Sequence, residues 1–433
     1  MSTSIRTLRV LLHLPSGERR SVAFLSQFGD IVRLSFEESY IEDAARPALS
    51  LAYRGATESD TRAILRATRD VRLARSDGHL PTWFSNLLPE GHNRQRLARE
   101  RGCSESDEFE LLAAAGRDLA GAVELEPLIG DAIPPAVLAW HASMGLEVAA
   151  AELVAEPVLD AASLAGLVTK FSAIKEGRRY VVKRRGQAGA YILKLPSTRH
   201  PDLVDNELTG YRLAGVLDLD CTEVARVPRR EVDLPDEVEF AHVLAVKRFD
   251  RGEAGRRVHM EEMAQAMQFE ARRKYGRGLE LDFPAMLRLL DRLSGEPARD
   301  VKEAVRRLVA FILMGNTDAH LKNWALIYPG GVTPTLSPLY DPVCVTAWFD
   351  ELAPQQYALN RRIDAELSSL DWPRLRALID AAGVPRAARL VQVAKETVKQ
   401  AKAKWPGILR DAPPNVRKSV SARLAGGVAL ARP

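Results

Sequence analysis

Apolar positions near the start of the chain fall in short alternating runs. "LRVLLHL", "RSVAFL" and "IVRLSF", within Leu8–Phe36, are separated by turn-forming residues and predict strands joined by tight turns. From Thr61 to Arg101 the spacing becomes helical, and "WFSNLLPEGHNRQRLARERG" sets a Pro-Glu-Gly turn ahead of a basic helix. Glu108–Ala115 reads as a helix. Gly116 and Gly121 then bracket a turn into the strand "AVELEPL". "GDAIPP" (130–135) reads as a linker. Beyond it, "SLAGLVTKFSAIKEGRRYVVKRR", "AYILKLP" and "HVLAVKRFDR" predict strands and loops, with one helix from about Asp205. After Val258 strands nearly vanish. Val301, Val305, Leu308, Val309 and Ile312 recur on one side of a helix, an amphipathic stripe. The pattern predicts an α+β chain in three parts: an N-terminal α+β module (1–134), a β-rich lobe (135–250) and a helical lobe (251–433).

Composition adds limits. A length of 433 residues exceeds one ordinary core and fits two to four domains. Three cysteines, Cys103, Cys221 and Cys344, are scattered with no paired spacing, which implies neither a disulfide framework nor a structural zinc site. The N-terminal apolar run is too short for a signal peptide, and no run reaches the length of a membrane span, so the expected place is the cytoplasm. The net charge of +4 is uneven: Arg386–Pro433 carries eleven basic and two acidic residues, net +9, leaving −5 elsewhere. Lys395, Lys399 and Lys402 share a helix face, and Arg361 and Arg362 form a second basic pair. Such segments suit nucleic acid or an acidic partner, and are more often simply solvated.

The candidate chemistry lies in "MGNTDAHLKNWALI" (314–327). Phosphoryl transfer from ATP needs a carboxylate for the acceptor's proton, hard oxygen ligands for magnesium and a lysine against the phosphates. Asp318 and Asn323 have the D-x4-N spacing of a kinase catalytic loop. Lys322 is placed to meet the transferred phosphoryl group. A second carboxylate, Asp341 in "LSPLYDPV", would return to Asn323 through a hairpin between Trp324–Tyr328 and Thr335–Tyr340. Two hard oxygens suit Mg²⁺, which keeps several waters. Lys194 shares a strand face with Ile192 and is a candidate for phosphate contact, with Glu207 as its candidate partner. The bland alternatives remain open here: Asp318 as a helix cap, Lys194 as an edge-strand lysine, Glu207 as a first-turn acid. The stretch Ser163–Lys170, "SLAGLVTK", is either a phosphate cover or a plain turn.

Taken in order, "SLAGLVTKFSA", "YILKLP", "LAVKRFD", "GNTDAHLKN" and "LSPLYD", preceded by "SNLLPEG" and "ELLAAAGRDLAGAVEL", resemble the HipA-type toxin kinases. The resemblance runs from about Arg9 to at least Leu378. It implies a bilobal protein-kinase-like fold and a serine/threonine protein kinase of a type II toxin–antitoxin system, using ATP and Mg²⁺. Asp318 would be the base, with Lys322 beside it. Asn323 and Asp341 would hold the metal. Ala165, Gly166, Leu167, Val168, Thr169 and Lys170 would form the nucleotide loop, and Lys194 would contact phosphates. Backbone groups of Lys247 and Phe249, flanking Arg248, would meet adenine. His320, Leu321, Lys322, Asn323 and Tyr340 would also face the nucleotide. Ser163 matches an autophosphorylated serine that switches the kinase off. The implied partners are a small helix-turn-helix antitoxin resembling HipB, operator DNA reached through it, and a protein substrate such as the synthetase that charges tRNA with glutamate. Val168 stands where members often have Gln, and Lys247 where an acid is usual, which bears on nucleotide affinity. Two other readings compete: a small-molecule phosphotransferase, and a DNA-bound corepressor with little or no kinase activity.

Overall fold

The computed structural model describes residues 4–128, 132–148, 150–158, 170–182, 189–196, 199–233, 240–252, 255–351 and 353–432. Three sheets and a set of C-terminal helices divide the chain. The first sheet has the order Ala74–Arg75, Ile31–Phe36, Arg19–Phe28, Ser4–His13, Val123–Pro127. Its strands carry the predicted alternation: Leu8, Val10, Leu12, Leu25 and Leu34 turn inward onto Trp83, Phe84, Phe109 and Leu112. Burial of such side chains is worth about 1.5–3 kcal/mol each before the entropy of ordering them. The helices Gly91–Arg101 and Glu108–Ala115 sit where the spacing put them.

The stretch after the linker behaves differently from the expectation. Pro135–Ser143 forms a helix and Ala150–Glu152 a strand that pairs in parallel with Ser4–Arg6, on the first sheet rather than in the next lobe. Trp140 explains part of this. Its ring lies under the Arg33 guanidinium and its Nε1 donates to the Thr68 carbonyl, so the helix is pinned to the N-terminal module.

The second sheet runs Val224–Pro228, His242–Lys247, Tyr191–Lys194, Lys170–Glu176, Arg179–Val182, Val232–Asp233. Period-two geometry separates the faces of Tyr191–Lys194. Leu193 joins the apolar cluster of this sheet, while Ile192 packs against the large core below. The helix Leu203–Gly215 lies between sheet and core.

The third part is mainly helical, but strands do not vanish. His259–Glu262, Ala325–Tyr328 and Thr335–Leu336 form a small antiparallel sheet. Its last two strands are the predicted hairpin; the sequence hid only His259–Glu262, because a four-residue strand carries too few alternating positions to register. The helix Pro297–Met314 begins on a proline, where the missing N–H costs nothing, and buries the predicted stripe. It stops at Gly315, whose φ of 72° few side chains tolerate. A Cβ there would also lie 2.0 Å from Thr346 Oγ1. That stop aims the next residues into the cleft. Among the described residues, no helix is long and apolar enough to cross a membrane.

Candidate active site

A cavity of about 810 Å³ lies between the second sheet and the helical part. Its wall holds Asp318, Asn323, Asp341, Lys170, Lys194 and Lys247. The turn carrying Asp318 is fixed by its own backbone: Asn316 Oδ1 accepts from the Asp318 N–H at 3.1 Å, and Asn323 Nδ2 donates to the Asp318 carbonyl at 2.8 Å. Asp318 caps no helix. The short 3₁₀ turn Leu321–Asn323 starts from His320, and the Asp318 side chain stays 43% exposed, open to an acceptor.

The hairpin returns Asp341 as expected. Its backbone is left-handed, with φ 59°, a conformation that costs a non-glycine residue about 1 kcal/mol or more. The Tyr211 hydroxyl accepts from the Asp341 N–H at 3.2 Å. Lys194 Nζ contacts the Asp341 carboxylate and pairs with Glu207 Oε1 at 2.5 Å. Lys194 is therefore no edge-strand lysine, and Glu207 no mere first-turn acid: its side chain is 2% exposed. Burial pulls the Lys194 ammonium down to about 8 against the opposing pull of Glu207. Lys170 Nζ lies 3.6 Å from the other Asp341 oxygen, and burial lowers it too. Two ammonium groups, Lys194 and Lys170, thus converge on the Asp341 carboxylate, with Glu207 balancing Lys194. Among the described residues no cluster of three or more His, Cys, Asp and Glu could hold a metal. The Asn323 amide oxygen and the Asp341 carboxylate instead offer two hard ligands, a set that fits Mg²⁺ with waters retained.

Several expected contacts are placed elsewhere. Lys322 lines the cavity, but its Nζ is held by Glu90 Oε1 at 3.0 Å and the Asn86 carbonyl at 3.1 Å, both of the N-terminal module, and by Glu262 Oε2 at 3.7 Å. Two carboxylates outcompete an open approach to a phosphoryl group. The Arg248 side chain is 3% exposed and spans Asp118 and Asp250, at 3.0 and 2.8 Å, and its N–H donates to the Ala190 carbonyl at 2.8 Å. Arg251 binds the same two carboxylates at 2.9 and 2.8 Å. The Lys247 N–H is committed to the Glu223 carbonyl, and Thr222 Oγ1 donates to its carbonyl at 2.5 Å. Phe249 and Tyr340 line the cavity with ring centroids 5.4 Å apart. Leu321 is buried in the large core and borders a separate cavity of about 480 Å³. His320 lines both cavities, and burial pushes it down to about 4, so it is neutral near pH 7. Ser163, Ala165, Gly166, Leu167, Val168 and Thr169 lie outside the described residues. The basic residues of the tail lie away from this cleft: Lys395 sits over the Trp372 ring and Lys402 donates to the Ala431 carbonyl.

Sequence reasoning missed Glu90, Glu262, Lys274 and Tyr275, which all line the cavity. Lys274 Nζ pairs with Glu90 Oε2 at 2.9 Å. Burial alone would raise the Glu90 carboxyl, but Lys322 and Lys274 outweigh it and bring it to about 2. For Glu262 burial wins over Lys322, and its carboxyl rises to about 7. The one available signal was the acid in "SNLLPEG", quoted for its pattern without a role.

Comparison with known proteins is consistent across the chain. The family profiles described as "HipA-like C-terminal domain" and "HipA N-terminal domain" match residues 162–405 and 17–126. A putative kinase, Y4dM, of Sinorhizobium fredii is 35% identical over 88% of this chain and 87% of its own length. The serine/threonine-protein kinase toxin HipA of Shewanella oneidensis is 28% identical over 72% of this chain and 73% of its own. A solved structure of a Shewanella oneidensis HipA, in complex with HipB and operator DNA, superposes with a TM-score of 0.65 at 20% identity. It covers 97% of this chain and 96% of that one, a likeness of fold.

Proposed function

The chain belongs to the HipA family of toxin kinases, and from that premise we propose that it transfers the γ-phosphoryl group of ATP to a serine or threonine hydroxyl of a protein. The observation carrying this reading is the meeting of Asp318, Asn323, Asp341 and the Lys194–Glu207 pair in one cavity. Asp318 accepts the proton of the attacking hydroxyl. Lys194, held by Glu207, lies against the phosphates, with Lys170 beside it. Asn323 and Asp341 would hold Mg²⁺, which would neutralise phosphate charge as the bond to the leaving group breaks. Adenine would lie near Lys247–Phe249, with Phe249 and Tyr340 as its apolar neighbours. The Ala165–Lys170 stretch would cover the phosphates, and Ser163 would be the self-phosphorylated off-switch. The resemblance makes an aminoacyl-tRNA synthetase the first substrate to try, and a helix-turn-helix antitoxin with its operator DNA the expected assembly.

Intact mass after incubation with Mg-ATP tests this. Wild type should gain one phosphate, Asp318→Ala should gain it ~10²–10⁴-fold more slowly, and Ser163→Ala should gain none. A gain retained in Ser163→Ala but lost in Asp318→Ala keeps the kinase and moves the acceptor. A chain free of prior phosphate that neither gains mass nor binds nucleotide sinks the catalytic reading and favours the corepressor.

A further inference from the structure

The segment Lys274–Gly276 clasps the turn that carries Asp318 from outside it. The Lys274 carbonyl accepts from the Leu321 N–H at 2.9 Å. The Tyr275 hydroxyl donates to Asp318 Oδ1 at 2.5 Å, and its ring stands edge-on to His320 with centroids 5.2 Å apart. Gly276 follows with φ +69°, and a Cβ there would lie 2.1 Å from Asp282 Oδ2. The chain is thereby turned sharply and closely packed directly after the tyrosine. On the other flank Lys274 is tied to Glu90 of the N-terminal module. A carboxylate on a half-exposed turn rotates freely unless something holds one oxygen. His320 Nε2 lies 3.9 Å from the same oxygen of Asp318.

We propose that Tyr275 is a positioning residue for phosphoryl transfer: it holds Oδ1 of Asp318 so that the second oxygen is presented to the acceptor hydroxyl, within a brace that Glu90 anchors from the N-terminal module. This rests on the reading of Asp318 as the base. A fixed carboxylate matters because reacting groups must meet at ~3–3.5 Å with aligned orbitals, and small misplacement costs on the order of 10²-fold in rate. The hydroxyl donates to the carboxylate and keeps its proton throughout. Burial and the Asp318 charge raise the tyrosine well above its ordinary range, so it remains a donor at any working pH.

The test compares wild type, Tyr275→Phe, Asp318→Ala and the double variant. The rate of phosphate incorporation from labelled ATP at saturating Mg-ATP would be read on the chain itself and on casein as a second acceptor. Mg-ATP affinity and thermal midpoint would be measured alongside. Phenylalanine keeps the ring against His320 and removes only the donor. The expected result is a maximal rate lower by ~10–100-fold, with Mg-ATP affinity within about twofold, and no further loss when the change is added to Asp318→Ala. An unchanged rate would reduce Tyr275 to packing. A faster rate would show instead that its hydroxyl blocks the acceptor's place. A rate that falls only in step with affinity or with the thermal midpoint would make its role structural. Each of these overturns the proposal while leaving the kinase reading intact. An inactive wild type would sink both, and is recognised by failure before any substitution.

Discussion

Two clusters of buried charge tie the N-terminal module to the rest of the chain, and they are balanced differently. In one, Arg248 and Arg251 each span Asp118 and Asp250, with every contact between 2.8 and 3.0 Å. The Leu119 and Gly121 carbonyls accept further N–H groups of Arg251, at 2.7 and 2.8 Å. In the other, Lys322 and Lys274 face Glu90 and Glu262 along the cavity wall, with distances stretching to 3.7 Å. Burial would raise the Asp250 carboxyl, yet the two guanidinium groups bring it down to about 2. Glu262, equally buried, rises to about 7. A guanidinium fork can satisfy two carboxylates at once, whereas an ammonium is a compact point charge. The first cluster is a rivet. The second keeps a carboxyl on the edge of ionisation beside Lys322, on the wall of the cavity that holds Asp318.

The comparison can be broken at its strong end first. Arg248→Ala would leave the buried Asp118 and Asp250 with one guanidinium in place of two. It is expected to cost about 3–5 kcal/mol, read as a large drop in the urea midpoint. A drop below about 1 kcal/mol would mean that the rivet holds little.

Glu90→Gln comes next, at about 2–3 kcal/mol near neutral pH. Its sign follows from a carboxyl lowered in the fold. The stabilisation is present above about 4.5 and is lost as pH falls toward about 2. Urea midpoints of wild type and variant should therefore converge in that window. Parallel curves would show that the carboxylate charge is not what matters.

Glu262→Gln, nearly isosteric with the protonated acid, should have the smallest effect at about pH 4.5, and the opposite slope above it. A carboxyl raised to about 7 is held protonated in the fold while the unfolded chain has already ionised. Wild type therefore loses stability as pH rises from about 4.5 through 7. The glutamine variant should gain relative to it over that range, and a relative loss would invert the contrast drawn here.

Much of the site was legible in the sequence because it is local. Asp318 and Asn323 lie on one turn, Asp341 returns through a short hairpin, and alternation alone set Ile192 and Lys194 on one face. The helix Glu108–Ala115 and the strand after Gly121 came from spacing and turn residues. The side-chain partners of Lys322 and Arg248 were not legible because they are distant in the chain. Glu90 lies 232 residues before Lys322 and Asp118 lies 130 before Arg248. No window of periodicity carries such pairings. The strand His259–Glu262 was lost for a related reason, since its partner strand comes 63 or more residues later.

Glu261, in that same short strand, has a consequence for how the protein is made. Its carboxylate is wholly buried and accepts from Ser50 Oγ at 2.6 Å, the Leu51 N–H at 2.9 Å, Trp83 Nε1 at 3.2 Å and the Tyr328 hydroxyl. Three of these donors belong to the first module, and Ser50 precedes Glu261 by 211 residues. At ~5–20 residues per second, a growing chain on the ribosome would hold those donors open for roughly ten to forty seconds before their acceptor is synthesised. The N-terminal module thus leaves the ribosome as a half-built socket, and the later part of the chain, from Glu261 on, both completes it and supplies the turn that carries Asp318.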